Sequence, residues 1–457
     1  MTSELETLAN ELSSLVDTGV RKALTRGAEE AEVFISHVAT LAVNIKTGII
    51  EAREGASLGI GVRVVADGKV GFAATSGMDE TKIDHTIEEA LGVAGIRPVD
   101  PRFKHLADPI SRTSKDGIID DAILEFSNAD ALEEVDNLSK AAFKFDKRVR
   151  AIFGGISVEK GVFAVANSRG IFGCSKGAVI GGGVYCIATD QGKQKTGIES
   201  LDSRQLPDFS DVGSKATDRA IKMLEAKPLG ESLKTTTIWE NVAIGPMLRA
   251  MLSSASSATN VQEGKSYFKG KMKEKIASGE VTIFDDGQLP EGLLTFKTDA
   301  EGVPCQKTTL VEKGVLRNYI YDSYAALQEN KESTGNANRQ WPEPFLTTPN
   351  VSTSNIVLKP GTSNLDRLIA EVDKGILVTG MVMGAGHANR ITGEFSVVAP
   401  NAFLVKNGEI EYALEPLTIA GNFFNALKKI ARVGSDSQIM AVGKISSLII
   451  DDLTISG

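Results

Sequence analysis

The spacing of apolar residues changes from helical to alternating and back again within the first 100 residues. Near the N-terminus four leucines recur every three or four residues, which predicts an amphipathic helix: Leu5, Leu8, Leu12 and Leu15. From Ala31 the period becomes two, in short β-branched segments separated by Thr47-Gly48 and Asp67-Gly68. That pattern is typical of an antiparallel meander. A second helix is predicted over residues 79–94.

The same order of elements then recurs. A helix is predicted over 129–145, strands over 149–159, 162–167, 171–176 and 179–189, and a closing helix over 211–226. We interpret this as an internal duplication or as one α+β domain with two similar layers. Lys227-Pro228-Leu229-Gly230 interrupts the helical pattern and predicts a boundary, with an N-terminal α+β domain over 1–226.

Residues 227–457 are predicted to form a mostly β C-terminal domain, which makes the fold class α+β. Helices are predicted over 246–257, 321–329 and 365–372. Strands are predicted over 281–284, 292–296, 308–312, 315–319, 403–406 and 409–412. Lys313-Gly314 and Asn407-Gly408 predict hairpin turns, because glycine and asparagine tolerate positive φ.

The charge balance and cysteine content exclude several classes of protein. Fifty basic residues against 59 acidic ones give a net charge of −9, and this balance does not predict nucleic acid as a partner. Three cysteines without CxxC spacing do not predict a disulfide framework. Residues 1–6 lack the basic and apolar regions of a secretory signal, and no apolar run approaches the ~18 residues of a membrane span. We therefore expect a cytoplasmic protein with no membrane partner.

The residues alone reveal no catalytic constellation. The chain has four histidines, and no two of them are separated by three or four residues as a helical zinc motif requires. Ser266 and Lys269 match S-x-x-K, which places a lysine one helical turn from a serine, but such short strings arise by chance. This pair is the basis of one alternative, a stand-alone hydrolase.

From residue 264 onward the chain resembles the TldD/PmbA family, whose members are described as modulators of DNA gyrase and as peptide-maturation proteases. The strings that carry the resemblance are Gly264-Lys265-Ser266-Tyr267-Phe268-Lys269-Gly270-Lys271, Asp299-Ala300-Glu301-Gly302-Val303-Pro304, Leu310-Val311-Glu312-Lys313-Gly314-Val315-Leu316, Ile391-Thr392-Gly393-Glu394-Phe395-Ser396 and Thr418-Ile419-Ala420-Gly421-Asn422. In the first half, Gly59-Ile60-Gly61-Val62-Arg63-Val64 also matches.

The resemblance distinguishes two branches of the family. The TldD branch carries a His-Glu-x-x-x-His zinc motif upstream of the Phe-x-Gly string and a cysteine near its C-terminus. A gap-free count back from Ser266 places that motif at Arg249, Ala250 and Ser254, and no cysteine follows Cys305. The chain therefore resembles the TldE (PmbA) branch, which implies no metal and no catalytic residue in this chain, with zinc in a partner subunit.

The resemblance also implies partners. It points to a heterodimer with a TldD-type catalytic subunit that cuts unfolded peptides or leader peptides, with a homodimer when the chain is alone. Contact with the peptide or the partner is predicted in loops that match the family: Arg339, Asn350, His387, Arg390 and Glu394. The family's older description leaves a further alternative, a modulator of DNA gyrase or of a toxin–antitoxin pathway.

Overall fold

The computed structural model describes residues 2–457, with side chains from Glu4 onward, and the fold is α+β. The helices of the first half are α1 (Thr2–Thr25), α2 (Glu80–Ile96), α3 (Asp121–Glu125), α4 (Asn128–Phe145) and α5 (Val212–Lys222). Its strands are β1 (Glu30–Lys46), β2 (Ile49–Ala66), β3 (Lys69–Ser76), β4 (Val149–Asn167), β5 (Phe172–Asp190) and β6 (Lys193–Ser203). Local sequence sets the helix starts, since Asp79 caps α2 and Ser127 forms a capping box with Asp130 at α4.

The six strands form one antiparallel sheet in the order β3-β2-β1-β4-β5-β6. At the centre β1 runs antiparallel to β4, with Ala39 opposite Lys160. The two predicted helix–meander–helix units therefore lie side by side in one sheet and do not form two layers. Each unit supplies three strands and a closing helix, in the same order.

All the long helices of this half cover one face of the sheet. Val33 and Ile35 of β1 pack beneath α1 and α2, whereas Val43 and Ile45 pack beneath α4. Alternate residues of a strand point to opposite faces, so Phe34 lies on the other side. There it packs with Ala300 and Phe345 of the second half. The face without helices is thus where the second half docks.

The second half contains three further sheets. Its helices are α6 (Asn241–Ser256), α7 (Ala258–Gln262), α8 (Ser323–Gln328), α9 (Leu365–Ala370) and α10 (Phe423–Lys428). Its first strands are β7 (Leu233–Trp239), β8 (Ile283–Asp286), β9 (Lys307–Glu312), β10 (Val315–Leu316), β11 (Ala337–Asn338), β12 (Asn350–Val351), β13 (Ile356–Leu358) and β14 (Lys374–Thr379). The remaining strands are β15 (Glu394–Ala399), β16 (Asn401–Lys406), β17 (Glu409–Leu414), β18 (Leu417–Asn422), β19 (Ile430–Val433), β20 (Gln438–Met440), β21 (Gly443–Ile445) and β22 (Leu448–Ser456).

The largest of these sheets has the order β15-β18-β22-β7-β14-β16-β17, with β19 also paired to β22. A second runs β10-β9-β8-β13-β21-β20, and β11 pairs with β12. The predicted hairpin turns are confirmed, with positive φ at Lys313, Gly314, Asn407 and Gly408. A 3-10 turn at Met223–Glu225 and β7 flank residue 226, and the domain division there stays a prediction.

Several predicted elements differ from the structure. The pairs of short strands predicted at 31–36 and 42–46, at 149–159 and 162–167, and at 171–176 and 179–189 are the single long strands β1, β4 and β5. β6 was missed because it is polar, and residues 315–319 contain only the two-residue strand β10. Residues 292–296 are not a strand, because Gly292, Leu293 and Thr295 turn their carbonyls onto the guanidinium of Arg204.

No helix within residues 2–457 is long and apolar enough to cross a membrane.

Candidate functional site

The three positions where the family's zinc motif falls lie on α6. The helix buries one side in the core through Met247, Leu248, Met251 and Leu252. Arg249, Ala250 and Ser254 lie on its other, half-buried side. The structure thus places all three positions on the half-buried side of one helix.

The side chains at these positions do not fit a zinc ion. Arg249 donates from Nη1 to the carbonyl of Ala441 at 3.0 Å and is a cation; burial lowers its pKa and the nearby Asp285 opposes that shift. Ala250 has no polar side-chain atom, and the Ser254 hydroxyl accepts from Asn260 at 3.3 Å. Zinc in proteins is held by imidazole, thiolate and carboxylate. Across residues 2–457, no cluster of three or more such residues is arranged to hold a metal ion.

A buried carboxylate lies near this helix. Asp285 on β8 is fully buried and accepts hydrogen bonds from the Asn336 amide at 2.5 Å and from the Ser354 backbone at 2.7 Å. Burial raises the pKa of Asp285 to about 6, although both hydrogen bonds and the Ser354 hydroxyl favour the charged form. Asp285 is the ionisable group that sequence reasoning missed at this site.

Asp285 should make stability fall as pH rises. Its folded-state pKa, about 6, exceeds the ~3.9 of an unfolded aspartate, so the stability it contributes is complete below about pH 4 and is lost as pH rises through 6. Asparagine does not titrate. In Asp285→Asn the unfolding free energy should therefore lose on the order of 3 kcal/mol of its decrease over this pH range. Urea unfolding across this pH range measures the difference. Asp17→Asn on the exposed side of α1 is the control, and an unchanged slope in Asp285→Asn would contradict the assignment.

Three of the predicted contact residues lie on one exposed segment beside α6. Residues 385–387 form a 3-10 turn that packs against α6, and His387 at its end is exposed, as are Arg390 and Glu394. The Glu394 carboxylate accepts from Asn422 at 3.0 Å. Residues 381–394 therefore form a largely exposed segment next to α6, and we call this segment the 381–394 surface.

The other two predicted contact residues lie elsewhere. Asn350 is exposed on β12, opposite Asn338. Arg339 is buried between the two halves, where it forms an ion pair with Glu32 at 2.8 Å. It does not belong to the 381–394 surface, and its position gives it a role in joining the halves. Peptide or partner contact by all five residues stays a prediction.

The structure does not assemble the Ser266/Lys269 pair. The Ser266 hydroxyl donates to the Ala255 carbonyl at 2.6 Å and accepts from the Phe268 backbone at 2.9 Å. Lys269 is exposed, and its contact with Ser266 is between backbone atoms, at 3.2 Å. Ser266 therefore acts as a turn-forming residue, with its hydroxyl already occupied.

Three family profiles match successive parts of the chain. They are described as PmbA/TldA metallopeptidase domain 1 at residues 31–94, the central domain at 121–224 and the C-terminal domain at 232–457. An uncharacterised protein of Methanocaldococcus jannaschii is 32% identical over 375 residues, which is 82% of this chain and 84% of that protein. The chain belongs to the PmbA/TldD metallopeptidase family.

Other family members match along nearly the whole length. The "Metalloprotease PmbA homolog" of Haemophilus influenzae is 28% identical over 476 residues, covering 100% of this chain and 98% of that protein. The fold is that of the crystal structure of TldE from Thermococcus kodakarensis, with a TM-score of 0.88 and 23% identity over 97% of this chain and 100% of that one. The recognised family and the predicted fold class are thus confirmed.

A buried ionic cluster joins the two halves of this PmbA/TldD-family chain. Arg63 contacts Glu32 at 2.6 Å and Glu301 at 3.1 Å, and Arg339 completes the chain of charges through Glu32. Burial alone would lower the pKa of Arg63, but the two carboxylates have the larger effect and raise it. Burial lowers the pKa of Arg339 to about 10. We call these four residues the interdomain ion cluster.

Two more carboxylates border the interdomain ion cluster. Burial and the neighbouring Glu301 raise the pKa of Asp322 to about 7 and raise that of Asp299 as well. The sequence carried a signal for this cluster, because Glu32 and Arg63 interrupt otherwise apolar strand segments. Charged residues are buried in such positions only when they are paired.

Proposed function

We propose that this chain is the non-catalytic subunit of a zinc metallopeptidase complex, paired with a TldD-type subunit and acting on unfolded peptides or leader peptides. The observation that carries the proposal is the side-chain chemistry on α6. Metal-assisted hydrolysis needs ligands that hold the ion and lower the pKa of its bound water, and a base to take the proton. Arg249, Ala250 and Ser254 supply neither, and Arg249 adds a positive charge.

The 381–394 surface supports a role in holding a peptide. Met381, Met383 and Ile391 are each about half exposed beside His387 and Arg390. Methionine side chains adapt to differently shaped apolar partners, which suits contact with unfolded segments of varied sequence. Such a surface would present the substrate while the partner cleaves it.

Strand addition of a peptide to the second half has no room at the outer edge of β15. The backbone of Met383 exchanges two hydrogen bonds with Val398 there, at 2.8 and 2.9 Å, and Asn389 donates to Glu394 at 2.8 Å. The segment 381–394 therefore covers this edge itself. Strand addition at this edge is therefore blocked, and we infer that the 381–394 surface would bind a peptide through side-chain contacts.

The decisive experiment compares the isolated chain, an isolated TldD-type subunit from the same organism and the co-expressed pair on an unfolded peptide. We expect cleavage by the pair and its loss when zinc is removed. Gln in place of the partner's zinc-motif glutamate should lower the rate about 10²–10⁴-fold, the usual contribution of a general base. The matched change Ala250→Gln in this chain should leave cleavage of the pair unchanged. Chelator-sensitive cleavage by this chain alone would refute the proposal.

A further inference from the structure

The surface loop between α7 and β8 is rich in lysine. Four of its lysines occupy every second position, and a fifth lies at the end of α10: Lys269, Lys271, Lys273, Lys275 and Lys428. Lys271 is half-buried and the other four are exposed. Among the described residues none of the five forms an ion pair, whereas the neighbouring Lys265 and Lys429 contact Glu263 at 2.7 Å and Asp452 at 3.0 Å. We call these five residues the lysine patch.

Aromatic packing brings the two parts of the lysine patch together. The ring of Tyr267 in the loop stacks on the ring of Phe424 in α10, with centroids 3.9 Å apart and planes at 3°. The Lys271 ammonium lies 3.1 Å from the centroid of the Tyr267 ring. Lys428 follows Phe424 by four residues, so both lie on the same side of α10. The loop and the helix therefore present their lysines on one surface.

The lysine patch is a local excess of positive charge on an acidic chain. Glu274 is the only carboxylate in the sequence from Lys269 to Lys275, while the whole chain has a net charge of −9. Arg390, exposed on the 381–394 surface, adds a further cation. An anionic ligand would thus be attracted here and repelled by most of the remaining surface.

The lysine patch is continuous with the 381–394 surface. Phe424 packs beneath Gly393, because a Cβ built on Gly393 would lie 2.5 Å from the Phe424 ring. The Phe423 backbone also donates to the Gly393 carbonyl at 2.8 Å. Two ring contacts therefore separate the Lys271 ammonium from Gly393. Two or three residues of an extended peptide, at about 3.3 Å each, cover the stacked pair of rings.

We propose that the lysine patch binds acidic residues of the unfolded peptide, while the 381–394 surface holds apolar residues a few positions away in the same peptide. This inference rests on the proposed function and adds a substrate preference to it. The lysine ammonium is a point charge on a flexible stem, so it accepts carboxylates at varied positions. Such contacts would favour acidic peptides without requiring one exact sequence.

A peptide fits the lysine patch better than a single-stranded nucleic acid does. Proteins that bind single strands stack the bases on free aromatic faces. Here one face of the Tyr267 ring is covered by Phe424 and the other by the Lys271 ammonium. The adjoining Met381, Met383 and Ile391 are apolar and suit the side chains of an unfolded protein segment.

Binding of two labelled peptides to the full-length chain tests the preference. Both are short and unfolded and share one apolar segment, which continues into glutamates in one peptide and into glutamines in the other. Fluorescence anisotropy at low salt should show about tenfold tighter binding of the glutamate peptide, the effect of three or four exposed ion pairs. The difference should disappear at about 1 M salt, where the Debye length is ~3 Å. Equal affinities at low salt would overturn the proposal.

Charge neutralisation locates the binding site. Replacing Lys269, Lys271 and Lys273 together by glutamine should lower the affinity for the glutamate peptide to that for the glutamine peptide. The control variant makes the same change in net charge at three exposed lysines of the first half: Lys46, Lys144 and Lys193. It should keep the affinity within about twofold, because distant charges are screened. Equal losses in the two variants would show that only net charge matters, and would overturn the proposal.

Cleavage by the co-expressed pair separates this inference from the proposed function. The glutamate peptide should have the lower KM, and the triple lysine variant should remove that difference without changing kcat. Cleavage of both peptides with equal KM would overturn the preference and leave the proposed function standing. No cleavage, with the binding preference intact, would refute the proposed function and leave the lysine patch as an acidic-peptide site. Tighter binding of a short single-stranded DNA than of the glutamate peptide, lost in the triple variant, would make the ligand a nucleic acid and overturn the proposal.

Discussion

Replacing Glu32 by glutamine is expected to cost about 3–5 kcal/mol of unfolding free energy, because it removes one partner from a buried charge pair. Glu32 is fully buried and is the only carboxylate in ion-pair contact with Arg339 among the described residues. Arg63 keeps Glu301 at 3.1 Å, but Arg339 would stay buried without its ion-pair partner. The Nε atom of Arg339 already lacks a hydrogen-bond partner, so no other acceptor around this side chain could replace Glu32.

An exposed pair in the same sheet gives the control. Glu51 and Arg53 lie 2.8 Å apart, and Glu51 is more than half exposed. Glu51→Gln should therefore change stability by less than about 1 kcal/mol. Adding Arg339→Met to Glu32→Gln should recover part of the loss, because it removes the unpaired charge. Denaturant unfolding of the variants measures all three effects, and equal costs at Glu32 and Glu51 would contradict the role of the interdomain ion cluster.

Local sequence predicts the first sheet well because its signals are local. The hairpin turns, the helix caps and the alternation of β1 and β2 all depend on residues within a few positions of each other. The long strands β4 and β5 were predicted as shorter pieces because glycines interrupt the alternation, as at Gly161 and Gly177. Hydrogen bonding to neighbouring strands keeps these glycine positions in the strand, although local preference predicts a break there.

Longer-range contacts explain the elements that the sequence did not reveal. Residues 292–296 have strand-like composition, but Arg204, distant in sequence, binds their carbonyls and holds them in turns. Arg339 was predicted as a peptide or partner contact because it is polar and lies in a loop that matches the family. Its burial depends on Glu32, which is 307 residues away along the chain. No spacing rule connects such positions.

Family resemblance located the positions of the degenerate motif, and the structure shows what surrounds them. Arg249, Ala250 and Ser254 all fall within α6. The proximity of Asp285 to Arg249 was outside the reach of sequence reasoning, because β8 and α6 meet only through the tertiary fold. The chemistry of the site therefore depends on residues from separate elements.

The two units of the first sheet share one close contact between strand and helix. A Cβ built on Gly71 of β3 would lie 2.0 Å from the Ala90 carbonyl of α2, and one on Gly197 of β6 would lie 2.1 Å from the Ala216 carbonyl of α5. Gly71 and Ala90 each precede their counterparts by 126 residues. Both units thus use a glycine on the third strand to let the closing helix approach, which supports an internal duplication.

Gly71→Ala should lower the unfolding free energy by about 3 kcal/mol, because the added methyl group would meet the helix backbone, which has no rotamer to change. Gly197→Ala should have a similar effect if the two contacts are equivalent. Gly92→Ala on the exposed side of α2 is the matched control, since its Cβ would meet nothing within 4 Å. That change should instead stabilise the protein by about 0.5–1 kcal/mol, as alanine restricts the unfolded chain. Urea unfolding distinguishes these outcomes. A Gly71→Ala variant as stable as Gly92→Ala would mean that strand and helix can separate without cost, and that the close approach does not hold the unit together.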